Sequence, residues 1–263
     1  VLAEQAVTWY HAPGPQHFTD LVDLEMQIAE ISTMILLIVE SPGSMAELGA
    51  FTYVDRILKK LQVVMERRYQ NKQSFIMDGP VAKIRAQKPD EAGAEKFYSC
   101  DWLSPESDNE IDAELSQRAA TGIIQDLLDP ALQGQPAPEP FDLQNAGHKM
   151  LLIADFVSLG GSLRFQEIME LLGGLPVKTS ETEVKGFLLL LERLGFLRKT
   201  HLRRYDYYVQ TNSKLRFILY AMADETRSDR ERLRADIKYA LSDKAKPTDR
   251  QEAFESVTRE GLL

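Results

Sequence analysis

Met34-Ile-Leu-Leu-Ile-Val39 runs directly into Glu40-Ser-Pro-Gly-Ser-Met-Ala-Glu-Leu-Gly-Ala-Phe51. Six consecutive apolar residues predict a strand covered on both faces, as in the middle of a parallel sheet. Ser41-Pro-Gly-Ser44 predicts a turn, and Met45 to Lys59 a helix. Leu61 to Met65 is a second short apolar run. Strand, helix, strand is the order of an α/β layer. Outward from this stretch, Leu21, Leu24, Ile28 and Ile31 have the spacing of an amphipathic helix over Asp20 to Ile31. On the other side, Asp78-Gly-Pro80 predicts a turn and Val81 to Arg85 the start of a helix. Lys96 to Cys100 predicts a strand, and Ile111 to Leu128 a helix.

In open α/β sheets, ligands bind at the carboxyl ends of the strands. Gly43 would let a ligand approach the backbone. Ser44 could cap the helix and still offer a hydroxyl. Glu47 is expected in the first helical turn, where the dipole favours an ionised carboxylate, the form a nucleophile needs. Attack of such a carboxylate on an anomeric carbon gives a glycosyl-enzyme that water can release, and the charge also stabilises an oxocarbenium-like centre. The competing reading makes Ser44-x-x-Glu47 a capping box and nothing more. Glu40 could be a second carboxylate or a solvated residue. Asp78 could reach the pocket or make its turn. Arg67 and Arg68 could meet phosphates or water, and Tyr53 could cover a base or join the core.

Gly43-Ser44-x-x-Glu47-Leu48-Gly49-Ala50 resembles the nucleoside deoxyribosyltransferase signature. The longer string Glu40 to Phe51, with Ser74-Phe-Ile-x-x-Gly-Pro-Val81, more specifically resembles the effectors encoded beside retron reverse transcriptases. The resemblance covers Leu24 to Val81. It implies a Rossmann-like parallel-sheet domain with Glu47 as nucleophile and Ser41, Gly43 and Ser44 around the substrate. The transferases carry an aspartate six residues before the glutamate, to hold the sugar; here that position is Ser41, beside Glu40. The retron effectors share the serine, and members of that group cleave NAD at the nicotinamide–ribose bond. The resemblance therefore implies NAD as substrate and no cofactor. It further implies a toxin of anti-phage defence, restrained by a reverse transcriptase and its branched RNA–DNA hybrid (msDNA), and a homo-oligomer or larger assembly.

Gly134-Gln-Pro-Ala-Pro-Glu-Pro140 reads as a linker. It divides the chain into an N-glycosidase domain over 1–105, a helix and linker over 106–145, and a second domain over 146–263. In the second domain His148 to Leu159, Arg164 to Leu172 and Ser180 to Leu194 read as helices, each closed by glycine. Phe196 to Gln210 alternates like a β-hairpin. Three helices and a hairpin are the order of a winged helix. Leu215 to Leu241 reads as further helix, and the tail after Lys246 as a polar, frayed end. The expected fold is thus α/β, followed by a mostly helical winged-helix domain. Arg198, Lys199, Arg203 and Arg204, interleaved with Tyr205 and Tyr207, make the hairpin a candidate nucleic-acid contact. An ordinary half-exposed hairpin is the alternative. The third helix offers only Lys185 and Arg193 as cations, which favours recognition of backbone or shape over base reading.

The net charge of −9 argues against a chain that coats nucleic acid with its whole surface. One cysteine, Cys100, excludes an internal disulfide and points to a reducing, cytoplasmic setting. The four histidines lack metal-ligand spacing. The longest apolar run is about a third of what a membrane-spanning helix needs. A chain that starts at Val1 allows no judgement of a signal peptide. Three other functions compete with NAD cleavage. They are N-glycosidase action on free nucleotides such as dATP, base exchange as a deoxyribosyltransferase, and a winged-helix regulator with a non-catalytic nucleotide sensor.

Overall fold

The computed structural model describes residues 3–70, 73–87, 96–100, 121–122, 125, 139–212, 216–220, 229–242 and 247–260. The chain forms two compact units, one of Ser32–Pro140 and one of Val1–Ile31 with Phe141–Leu263.

The 32–140 unit is built on a parallel sheet of β1 (Ile35–Val39), β2 (Leu61–Glu66) and β3 (Phe97–Cys100), in that order. Val39 lies beside Met65, and Met65 beside Ser99, so the three carboxyl ends are level. Leu37, Val39, Leu61, Val63, Val64 and Met65 are buried, as the apolar runs require. The β1–β2 connection is not one helix from Met45 to Lys59. Helix α3 (Pro42–Thr52) is followed by the single turn α4 (Asp55–Leu58). After β2 come α5 (Arg67–Gln70), a π-helical turn (Met77–Val81) and α6 (Ala82–Arg85). The expected turn at Asp78-Gly-Pro80 is therefore helical. Pro80 donates no N–H, and a π turn is one way a helix accommodates that loss. Of the helix expected over Ile111 to Leu128 only residues 121, 122 and 125 are described, all helical, and most of the proline-rich linker lies outside the described residues.

The other unit begins with α1 (Ala3–Tyr10) and α2 (Leu21–Ile31). Ala6, Phe18 and Leu24 are buried in one cluster with Met150, Ile153, Phe187 and Leu191. The first 31 residues therefore pack with the C-terminal residues, not with the domain expected over 1–105. A Cβ on Gly147 would come within 2.4 Å of the Glu30 carbonyl oxygen, so the backbones touch where that glycine stands. Helices α7 (Ala146–Gly160), α8 (Phe165–Gly173) and α9 (Glu181–Arg193) fall where the spacing predicts. Gly195 follows with φ +78, the left-handed stop expected of a glycine. Strands β5 (Leu197–Leu202) and β6 (Tyr205–Gln210) make the hairpin. The short β4 (Ser162–Leu163), not foreseen, pairs antiparallel with β6, giving a sheet ordered β4-β6-β5.

Two expectations for the C-terminal region are corrected. Of the helix expected over Leu215 to Leu241, the described residues hold α10 (Arg230–Ala240). Residues 216–220 are not helical. The Phe217 N–H and the Tyr220 hydroxyl both donate to Asp155, a fully buried carboxylate on α7. The tail expected to fray is helix α11 (Pro247–Glu260), packed on all three strands of the β4-β6-β5 sheet. Its Ala253 and Val257 are buried. Its Arg250 donates to Glu167 on α8 and to the Ser162 and Leu241 carbonyls.

Candidate active site and nucleic-acid surface

The start of α3 differs from the expected cap. Ser41, extended at φ −135 and ψ 163, is the N-cap, and Pro42 occupies the first helical position, where a missing N–H costs nothing. The Ser41 hydroxyl accepts from the Ser44 N–H at 3.2 Å. The Ser44 hydroxyl accepts from the N–H groups of Ser41 and Glu40 at 3.0 and 3.1 Å and donates to the Ser41 carbonyl at 3.0 Å. The capping box is thus Ser41 with Ser44. Glu47 takes no part in it and stands one turn further into the helix.

This arrangement sorts the candidate residues. Ser44 is buried and its hydroxyl is engaged with backbone, so it shapes the turn. Ser41, Pro42 and Gly43 are exposed at the carboxyl end of β1. A Cβ on Gly43 would meet nothing closer than the Ser41 hydroxyl at 3.6 Å, so protein packing does not require that glycine. Glu47 is half-buried on the same helix. Glu40 is exposed. Tyr53 is 82% exposed at the far end of α3, with the Lys83 ammonium 4.4 Å from its ring centre, and is not core.

The π turn packs against α3, which brings the two sequence blocks together. Lys83 Nζ donates to the Thr52 carbonyl at 3.4 Å, tying the two helical stretches together. Asp78 is exposed. Sequence reasoning missed Glu66, a carboxylate only 9% exposed at the carboxyl end of the central strand, paired in register with Cys100. The expected second run stopped at Met65. A charged residue ending a buried run, where ligands enter such sheets, was the available signal.

In the other unit the hairpin places the basic residues unevenly. Tyr207 is 1% exposed, among the largest fully buried side chains, which corrects its expected contact role. Residues 205 and 207 share a face in an alternating strand, but helix α11 covers the sheet as far as Tyr207 and leaves Tyr205 half exposed. The Arg164 guanidinium stands 4.7 Å from the Tyr205 ring centre. Lys199 pairs with Asp206 at 2.7 Å, and His201 contacts the same carboxylate. Arg203, at φ +57 in the hairpin turn, pairs with Asp249 and Glu252 of α11. Arg198 and Arg204 are exposed. Lys185 on α9 pairs with Glu181, and Gly186 faces His17 and Phe18. Among the described residues no group of histidine, cysteine and carboxylate side chains could hold a metal ion. Nor is any helix of those residues long and apolar enough to cross a membrane.

Residues 1–199, about three quarters of the chain, match the STM3845 retron effector protein family. The chain belongs to this family. Two Escherichia coli relatives support the assignment over shorter stretches. One, named "Retron Ec73 putative ribosyltransferase/DNA-binding protein", is 37% identical over 68 residues. Its counterpart from retron Ec86 is 42% identical over 65 residues. The matches span 26% and 25% of this retron effector and 22% and 21% of the relatives' own lengths. The relatives' names pair ribosyltransferase with DNA binding.

Proposed function

We propose that this retron effector is a toxin of anti-phage defence that cleaves the base–ribose bond of NAD. The observation that carries this reading is the cap of α3. Ser41 and Ser44 form the capping box, and Glu47 stands half-buried one turn on, in the helix that opens at the carboxyl end of β1. A Glu47 carboxylate oxygen attacks the anomeric carbon of the nicotinamide ribose. The C–N bond breaks, and its electron pair leaves with nicotinamide, which departs neutral. Water then attacks the ribosyl ester, releasing ADP-ribose, restoring the carboxylate and giving a proton to solvent. Ser41 and Gly43 are the exposed groups at the strand end that would border the sugar. No cofactor enters this scheme. Free nucleotides such as dATP are the alternative substrates. Base exchange is a poorer fit, because Ser41 replaces the sugar-binding aspartate of the transferases.

The helix–strand–helix–helix–hairpin order of residues 146–210 supports a winged-helix reading, as the parallel sheet supports a Rossmann-like, deoxyribosyltransferase-type one. Arg198, Arg204 and Tyr205 are its exposed candidates for contact with msDNA. Arg203 and Lys199 would first have to leave their carboxylate partners. The proposed setting is the cytoplasm, in an assembly with the reverse transcriptase, msDNA and further copies of the chain. A DNA-binding regulator with a nucleotide sensor is the second reading, favoured by the same helix and strand order. Cells expressing the Glu47→Ala variant should survive induction under conditions where wild type arrests growth, at equal protein levels. Undiminished toxicity of that variant would remove the enzyme reading.

A further inference from the structure

A cleft of about 540 Å³ lies where the end of α7 meets α10 and α11, wholly inside the unit of residues 1–31 and 141–263. That volume is in the range of small-molecule sites. Among the described residues its lining includes Arg234, Lys238 and Arg250 and no aspartate or glutamate, in a chain of net charge −9. Arg250 is occupied with Glu167 and backbone carbonyls and serves as a wall. Arg234 shares its guanidinium with the exposed Glu231, and Lys238 is exposed at the rim.

The remaining walls are of two other kinds. Leu159, Leu241 and Phe254 are apolar. Ser158, Leu159, Gly160 and Gly161 are the last turn of α7 and the residue that ends it. Such a turn presents carbonyl acceptors. Gly161, at φ +84, has nothing within 4 Å of where a Cβ would stand. A bare inorganic anion would use the cations but neither the apolar wall nor the carbonyls. A ligand with a phosphate at one end and a flat, N–H-bearing ring at the other would use all three.

We infer that this cleft is a mononucleotide site, with the phosphate on Arg234 and Lys238 and the base between Phe254 and the end of α7. It is separate from the Glu47 region and does not depend on what that region does. A ligand there would bridge α7 to both C-terminal helices, α11 being the one that pairs with the hairpin cation Arg203.

The test is hydrogen exchange of the whole protein with AMP, wild type beside Lys238→Glu. AMP should protect peptides covering 158–162 and 234–254. Lys238→Glu should weaken that protection about tenfold in AMP concentration, the effect of losing one charge-assisted contact. Any toxicity or NAD cleavage should be unchanged in that variant. Protection confined to residues 36–51, or none at millimolar AMP, would overturn the inference. So would equal protection by inorganic phosphate, or protection by a short DNA duplex only, which would make the cleft part of a nucleic-acid surface.

Discussion

Ser41 caps a helix and, in the proposed function, also borders the substrate. Alanine at 41 removes the hydroxyl that accepts from Ser44 N–H and should lower stability by about 1 kcal/mol. Aspartate caps a helix as well as serine does. Ser41→Asp should therefore melt like wild type, while changing whichever sugar the site accepts. Thermal melts of both variants beside NAD cleavage separate the roles. If Ser41→Asp is as unstable as Ser41→Ala, the cap has been misread. The residues of this region were legible in the sequence, but their division of labour was not. A serine, a proline and a second serine within four positions allow two cap registers. Which one forms depends on Pro42 taking the first helical position. Glu66 escaped notice for a related reason. Its burial comes from neighbouring strands, and periodicity along one strand carries no trace of them.

At the scale of elements, α11 shows how far a polar sequence can mislead. Its charged residues suggested a solvated end, but one of them, Arg250, reaches a carboxylate inside the molecule. Glu167 has the history of a buried acid. Burial would raise its pKa, but hydrogen bonds from Arg250 and from the Arg164 N–H and guanidinium hold it below its ordinary value of 4.5. A lowered pKa adds stability that is complete above pH 4.5 and is lost as pH falls through the folded-state value. Glu167→Gln should abolish that acid dependence. Because it leaves Arg250 without its charge partner, it should also cost about 3–5 kcal/mol near neutral pH. Urea melts of both proteins between pH 3 and pH 7 would check this. An unchanged acid limb in the variant would assign the dependence to other groups. The helices from α7 to α9 and the hairpin were readable because their apolar spacing and glycine stops are local signals. Segment 216–220 was not, because Asp155, which binds it, is some sixty residues away in sequence.

The whole molecule divides differently from its sequence. The proline-rich stretch suggests one boundary, near residue 140, and the two compact units divide between Pro140 and Phe141. A second one, at Ile31, has no compositional mark. Helix α2 is amphipathic in either arrangement, and only the partner of its apolar face decides where it belongs. Glu30 accepts from the Ala146 N–H at 2.6 Å, and Leu24 joins the core of the C-terminal unit. Removal of residues 1–31 should therefore unfold the 141–263 unit, exposing Met150, Ile153 and Phe187, while the parallel sheet keeps its protection from hydrogen exchange. Loss of protection in the sheet alone would contradict that division.

The catalytic claim rests on Glu47, and release of nicotinamide from NAD tests it most directly. Purified full-length wild type and Glu47→Gln would be incubated with NAD, with and without the reverse transcriptase and msDNA, and the products identified by mass spectrometry. Nicotinamide and ADP-ribose are expected from wild type. The variant, with a neutral amide in place of the nucleophile, should lose at least about a thousandfold of that rate while melting at the wild-type temperature. Equal rates from the two proteins, or intact NAD under conditions where the wild type is toxic, would contradict the account.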